Sequence, residues 1–203
     1  LANISAARFV EKAQEPALFR IHDKPSTEAI TSLRTVLAEL GLELPGGNKP
    51  EPRDYAELLT SIADRPDAEM LQTMLLRSMK QAKYTTENTG HFGLAARYYT
   101  HFTSPIRRYP DLQIHRIIKE SLHGGLTGKR ISHYEKILPQ VAVQTSALER
   151  RADEAERETD KLKKVQYMER FIGQEFEGVI SGVTSWGFYV ELPNTVEGLV
   201  HIS

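Results

Sequence analysis

The sequence predicts an α+β protein, with a mostly helical part over residues 1–172 and a small antiparallel β domain over residues 173–203. Apolar residues recur at helical spacing through most of the first part. From Gly173 onward, β-branched and aromatic residues punctuated by glycine replace that spacing, which is typical of short strands. A length of 203 residues allows one large domain, or one domain with part of another.

Helical spacing predicts four helices in the first 82 residues. They cover residues 1–15, 26–40, 53–63 and 66–82. Ser26 is a suitable N-cap for the second helix and Gly41 a suitable residue to end it, while Pro66 suits the first turn of the fourth. Two prolines place an extended passage after the first helix, and the Pro- and Gly-rich stretch 42–52 is a loop.

Two further helices are predicted in the second half of the helical part. Residues 84–104 lack a helical period and indicate a loop or irregular strand. Pro105 then opens a helix that runs to about Leu122, with Thr103 or Ser104 as its cap. After the glycine-rich break at 123–130, one long amphipathic helix covers about 132–170.

Composition excludes several classes of protein. The 26 Lys and Arg residues against 27 Asp and Glu give a net charge of −1, which excludes a wholly basic nucleic-acid coat but not a local basic cleft. No apolar run is long enough to span a bilayer and no signal peptide is visible, so we expect a soluble, cytoplasmic protein. The absence of cysteine leaves only oxygen and imidazole as metal ligands. A first residue other than Met and a strand-like end indicate a fragment of a longer protein.

Positive charge is concentrated in residues 97–116, where four arginines accompany one acid, Asp111. The arginines are Arg97, Arg107, Arg108 and Arg116. With a helix beginning at Pro105, Arg107 and Arg108 fall in its first turn, where free backbone N–H groups and the helix dipole favour an anion. Arginine grips phosphate through two parallel hydrogen bonds, so this segment predicts phosphate binding.

Aromatic side chains are interleaved with these arginines, as in grooves for single-stranded nucleic acid. They are Tyr98, Tyr99, Phe102 and Tyr109. The alternative is that the aromatic rings belong to the core and that the arginines pair with acids on the long helix; the residues alone leave both interpretations open.

The β segment carries a second aromatic group, in which Trp186 and Tyr189 flank Gly187 and His201 follows. Within one strand, the two rings share a face only if Gly187 kinks or bulges the backbone. They would then form a platform for base stacking. No metal site is predicted, because the histidines near residues 97–116 lack ligand spacing, and no nucleophile elbow, P-loop or dinucleotide-binding motif occurs.

Long motifs carry a family resemblance. The string HFTSPIRRYPDLQIHR, preceded by GHFGLAARYY and PALFRIHDKP, resembles the C-terminal half of the catalytic domain of the RNase II/RNase R (RNB) exoribonuclease family. The segment after Gly173 resembles the first part of an S1-type RNA-binding domain, an OB-fold barrel that lacks its last strands here. The implied fold is therefore the helical half of an RNB catalytic domain followed by a truncated OB barrel.

The resemblance implies processive 3′→5′ hydrolysis of single-stranded and structured RNA to nucleoside 5′-monophosphates. It assigns catalytic roles to Arg107, which would hold the phosphate, and to Glu156, with Glu154 or Asp153 as alternative registers. It implies Mg²⁺ bound by aspartates upstream of this chain, and no metal ligand within it. The implied partners are single-stranded RNA and the upstream half of the domain, in a monomeric enzyme.

The same comparison and the local chemistry give a set of expected RNA contacts. They are Arg97, Tyr98, Tyr99, Arg108, Tyr109, Trp186, Tyr189 and His201. Two alternatives from other classes remain: a non-catalytic RNA-binding module, and a structural helix-bundle fragment whose arginines pair internally.

Overall fold

The computed structural model describes all 203 residues. The chain forms two compact units, residues 1–149 and residues 150–203. The division falls inside the longest helix and not near residue 172, so the predicted domain boundary stays a prediction. The α+β class is confirmed, because helices dominate and two small antiparallel sheets accompany them.

The chain contains six α-helices, five strands and two short 3₁₀-helices, Phe92–Leu94 and Glu169–Phe171. The helices are α1 (Ala2–Lys12), α2 (Thr27–Glu39), α3 (Pro52–Ser61), α4 (Ala68–Ser78), α5 (Tyr109–Leu122) and α6 (Gly128–Met168). The strands are β1 (Phe19–Ile21), β2 (Lys83–Thr85), β3 (Val179–Thr184), β4 (Gly187–Glu191) and β5 (Glu197–His201). None of the helices is long and apolar enough to cross a membrane.

The predicted signals at the ends of α2 are confirmed. The Ser26 hydroxyl accepts a hydrogen bond from the backbone N–H of Ala29, as an N-cap does. The helix ends before Gly41, whose φ of +69° is a backbone conformation that glycine adopts without strain.

The helix predicted from Pro105 begins four residues later, at Tyr109, and Arg108 is its N-cap. Neither Thr103 nor Ser104 caps it. The reason is Pro110: inside a helix that began at Pro105, its ring would clash with the preceding turn and it would offer no N–H. At the second position of α5 it costs nothing, and residues 104–108 form a separate turn.

The helix predicted over 66–82 is shorter at both ends, since α4 covers Ala68–Ser78. At its start, Pro66 precedes the N-cap, Asp67, and therefore lies outside the first turn. Its buried residues are Leu71 and Leu75, while Met70 is 41% exposed. The rest of the predicted order of elements is confirmed.

The first unit contains two apolar clusters. One lies between α1, the two-stranded β1–β2 sheet, α5 and the start of α6, with Leu18, Ile114, Ile117 and Leu138 fully buried. The other joins α2, α3, α4 and Phe92. The first cluster anchors the chain before α5, since Tyr98 and Phe102 pack onto it.

The second unit contains the C-terminal part of α6 and the sheet β3–β4–β5, which is antiparallel throughout. A two-residue turn that includes Trp186 joins β3 to β4, so Trp186 is not in a strand as expected. The bulge in β3 lies between Ile180 and Gly182. Gly187 follows the turn with φ +148°, and a Cβ there would lie 2.1 Å from the Val200 carbonyl oxygen, so this position requires glycine.

Candidate nucleic-acid interface

The turn Ser104–Arg108 is held by a carboxylate from the start of α5. Asp111 is fully buried, and one of its oxygens accepts a hydrogen bond from the Ser104 backbone N–H at 2.8 Å. The same oxygen accepts from Arg108 Nη2 at 2.8 Å, forming an ion pair in which Arg108 is 20% exposed. One buried carboxylate thus ties together the two ends of the turn.

A second contact holds the segment one helical turn further along α5. His115 Nε2 lies 2.8 Å from the Phe102 carbonyl oxygen, and the two rings stack at 4.1 Å with an interplanar angle of 2°. Asn3 accepts a hydrogen bond from the Phe102 backbone N–H at 3.1 Å. The chain is therefore anchored on both sides of Thr103.

Arg107 lies within this anchored turn, and its guanidinium is exposed and forms no ion pair or hydrogen bond. The backbone N–H groups of Arg107 and Arg108 both point to the Ser104 carbonyl oxygen, at 3.3 and 3.0 Å. The expectation that Arg107 shares an anion with free N–H donors of a helical first turn is therefore wrong, because it precedes the helix and its N–H is already used. Its side chain alone is available to a phosphate.

The other predicted contact residues of this segment differ in how free they are. Arg97 is exposed and lies over the ring of Tyr98, with Cζ 5.3 Å from the ring centroid. The Tyr99 hydroxyl accepts from Asn3 at 3.0 Å, and Tyr109 is exposed with its hydroxyl bonded to Gln113. Arg97 and Tyr109 thus present accessible groups, whereas Arg108 is tied to Asp111 as the alternative interpretation of internally paired arginines requires.

Tyr99 also belongs to a group of aromatic side chains that contact one another. Its ring makes edge contacts with His91 at 5.1 Å and His101 at 5.9 Å. Burial lowers the pKa of both histidines to about 4, and positive neighbours, Arg108 and Arg20 for His101, add to the shift. Both imidazoles are therefore neutral at pH 7.

Tyr84 completes this group of aromatic side chains. Its hydroxyl lies 2.7 Å from His101 Nδ1, and burial raises its pKa to about 12, so the phenol stays protonated and donates. The guanidinium of Arg20 lies 4.6 Å from the Tyr84 ring centroid and pairs with Glu149 at 2.5 Å. Sequence reasoning missed Arg20 and the role of Asp111; the signal for Asp111 was its place as the single acid among four arginines.

Glu156, the predicted catalytic glutamate, belongs to the second unit. It lies on the part of α6 where residues 151–160 are all exposed, and its side chain forms no ion pair or hydrogen bond. The alternatives Glu154 and Asp153 are exposed on the same stretch. The structure leaves the register among these three acids untested.

In the second unit the strand register places two of the predicted β-domain residues on one face. Tyr189 pairs with Leu199 and Gly187 with His201, so Tyr189 and His201 are diagonal neighbours, about 7–8 Å apart by the usual spacing of such pairs. Phe188 and Val190 face the other side. Trp186 is 59% exposed in the turn beside Gly187. The three predicted residues are all accessible or half-buried. Trp186 lies in the turn and not in a strand, so a face shared by Trp186 and Tyr189 through a kink or bulge at Gly187 stays a prediction.

The residues of this chain do not fit a Mg²⁺ site. No group of three or more His, Asp or Glu side chains is arranged to hold a metal ion. Asp111, the fully buried carboxylate, is already paired with Arg108.

Comparison with known proteins agrees with the resemblance drawn from the motifs. The RNB domain family profile matches residues 1–124, and the S1 RNA binding domain profile matches residues 169–203. Ribonuclease R of Escherichia coli strain K12 is 66% identical over 212 aligned residues, which cover 100% of this chain and 26% of that protein. Ribonuclease R of Vibrio cholerae is 51% identical with the same coverage. The chain spans about a quarter of the length of these curated relatives.

Solved structures give the same result. Mycoplasma genitalium RNase R, in complex with ribose-methylated single-stranded RNA, superposes with a TM-score of 0.91 at 28% identity. The superposition covers 99% of this chain and 32% of that one.

Proposed function

The chain belongs to the RNB family, whose domain profile matches more than half of its residues, and from that premise we propose that it is part of a ribonuclease R-like exoribonuclease. It supplies the C-terminal part of the catalytic domain and the beginning of an S1 RNA-binding domain. The complete enzyme removes nucleoside 5′-monophosphates from the 3′ end of single-stranded and structured RNA. It works as a cytoplasmic monomer.

One observation carries this proposal: Arg107 presents a free guanidinium on a turn in which Asp111 binds both the Ser104 N–H and the Arg108 guanidinium. An exposed arginine in solution samples many rotamers, but its backbone here is held by Asp111 and, further upstream, by His115. A planar guanidinium donates two parallel hydrogen bonds to a phosphate. Arg107 therefore holds a phosphate of the RNA backbone at the reacting 3′ end.

The charge that develops on the phosphoryl oxygens during hydrolysis strengthens such a contact. An interaction that is stronger in the transition state than in the ground state raises the rate of the chemical step more than it raises affinity. Neutral His91 and His101 behind the segment add no cation, so the positive charge on this surface comes from arginines, including Arg97 and Arg107. From the family resemblance alone, we also propose a catalytic role for Glu156 of α6.

Metal dependence comes from outside this chain. We assign the Mg²⁺ ligands to aspartates in the upstream half of the catalytic domain, which the matching relatives are long enough to contain. The upstream half is thus a required partner, and the residues described here bind and orient RNA.

The S1 part binds RNA through Trp186, Tyr189 and His201. A tryptophan that is 59% exposed at the tip of a turn offers a ring face to a base. The His201 Nδ1 atom accepts from the Ser203 backbone N–H at 3.1 Å, which leaves Nε2–H free to donate to RNA.

The test uses full-length enzyme and single-stranded RNA labelled at either end. With Mg²⁺, we expect 5′-labelled RNA to shorten progressively and 3′-labelled RNA to release labelled mononucleotide at once; chelation of the metal stops both. Binding without cleavage under these conditions identifies a non-catalytic RNA-binding module instead. Absence of both cleavage and binding identifies a structural fragment.

A further inference from the structure

We propose that Asp111 is a positioning residue for the phosphate contact of Arg107, and this inference rests on the proposed function. Asp111 does not touch RNA, since it is fully buried. It acts by holding the Ser104–Arg108 turn in the one conformation that aims the Arg107 side chain outward.

Asp111 contacts the chain on both sides of Arg107, at Ser104 and at Arg108. Its carboxylate accepts at 2.8 Å from Ser104 N–H, three residues before Arg107, and at 2.8 Å from the guanidinium of Arg108, the next residue. Because Ser104 also accepts from the N–H groups of Arg107 and Arg108, the turn is closed by backbone and side chain together. The backbone of Arg107 has little freedom left.

The chain contains a second aspartate at the equivalent helical position that does something different. Asp54 is the third residue of α3, as Asp111 is of α5, and both helices have a proline in the first two positions. Asp54 accepts from the N–H of its own N-cap, Glu51, in an ordinary capping box. Asp111 reaches past its N-cap, Arg108, to a residue four positions further upstream. The hydrogen bond of Asp111 therefore stabilises the Ser104–Arg108 turn as well as the start of α5.

Folding stability alone does not explain the Asp111–Arg108 ion pair well. The second oxygen of Asp111 and Nε of Arg108 are both buried and have no hydrogen-bond partner. Burying an ion pair costs a large desolvation free energy. Well-packed apolar residues at the same positions often stabilise the fold as much as the ion pair does. What the pair adds is a defined geometry at the one turn that carries a free guanidinium.

The test measures single-turnover cleavage and RNA affinity in the full-length enzyme. Four variants are compared: Asp111→Asn, Arg107→Lys, the double variant, and Asp54→Asn as the matched control. Asp111→Asn should slow cleavage by about tenfold or more while RNA affinity changes less than about twofold, because the lost contact acts in the transition state. The double variant should be no slower than Arg107→Lys, since Asp111 acts only through Arg107. Asp54→Asn should cleave at the wild-type rate.

Hydrogen exchange gives a readout apart from activity. The Ser104 and Arg108 amides should exchange faster in Asp111→Asn, and those of α3 should not.

Three results overturn the proposal. They are a wild-type cleavage rate in folded Asp111→Asn, a loss that multiplies with that of Arg107→Lys, and a loss of RNA affinity as large as the loss of rate. If Asp111→Asn does not fold, Arg108→Gln tests the same pair from its partly exposed side. It should slow cleavage without adding to Arg107→Lys, and a wild-type rate overturns the inference. A wild-type enzyme that binds RNA without cleaving it instead overturns the proposed function.

Discussion

Acidification should destabilise the first unit, because two of its histidines resist protonation. Burial lowers the pKa of His91 and His101 from 6.5 to about 4. Between pH 6.5 and 4 the unfolded chain therefore binds more protons than the folded one, and stability falls as pH falls. The contribution is fully present above about pH 6.5 and is lost progressively down to about pH 4.

The size of the effect follows from the two shifts. Each pKa unit corresponds to about 1.4 kcal/mol, so a shift from 6.5 to about 4 gives an upper bound of about 3–4 kcal/mol per histidine. A domain with a free energy of unfolding of about 5–15 kcal/mol would lose a large part of it. Protonation of His101 also removes the acceptor for the Tyr84 hydroxyl, a contact that ties β2 to the loop before α5.

The assay is urea unfolding followed by circular dichroism at several pH values between 7 and 4, with NMR titration of ¹³C-labelled imidazoles. The variant His91→Gln/His101→Gln should show a flatter dependence of unfolding free energy on pH. Because burial is the largest cause of both pKa shifts, 0.5 M salt should leave the wild-type slope largely in place. Two results refute the reasoning: an equal slope in the double variant, or imidazole midpoints near 6.5 for both residues.

Three further predictions concern the β sheet and the isolated chain. Trp186→Ala, in an enzyme with the complete S1 domain, should weaken RNA binding by about 1–3 kcal/mol without unfolding, as measured by fluorescence anisotropy and circular dichroism; loss of the fold would show that Trp186 is a core residue. In thermal melts, Gly187→Ala should destabilise the sheet by at least about 2 kcal/mol, because its Cβ would clash with the Val200 carbonyl oxygen. Gly198→Ala is the control and should cost much less, since a Cβ there has no neighbouring atom within 4 Å. The 203-residue chain alone should leave labelled RNA intact in Mg²⁺, since it lacks a metal site; mononucleotide release by clean protein would contradict this.

Local signals predicted the helices well where one residue decides a boundary. Ser26 and Gly41 mark α2 because capping and positive φ depend on neighbouring residues only. The start of α5 was predicted wrongly because two prolines compete. Pro105 can open a helix, but Pro110 cannot lie inside one, and the second restriction decides.

The candidate site could be predicted in composition but not in geometry. The excess of arginine in residues 97–116 is visible in the sequence, whereas the division of labour between Arg107 and Arg108 depends on the turn that Asp111 closes. The pairing of Arg20 with Glu149 joins residues 129 positions apart and has no local signal. The shared face of Tyr189 and His201 likewise depends on the register between β4 and β5, which the turn at residues 192–196 sets.

The most direct test of the account compares Arg107→Lys with Arg108→Lys in the full-length enzyme, by single-turnover cleavage rates and RNA dissociation constants. Lysine keeps the charge but loses the planar pair of donors. For Arg107→Lys the account predicts a fall in cleavage rate far larger than the change in affinity, and for Arg108→Lys a much smaller loss of rate. Equal losses in both variants, confined to affinity, would contradict it, because Arg107 would then be one phosphate contact among several.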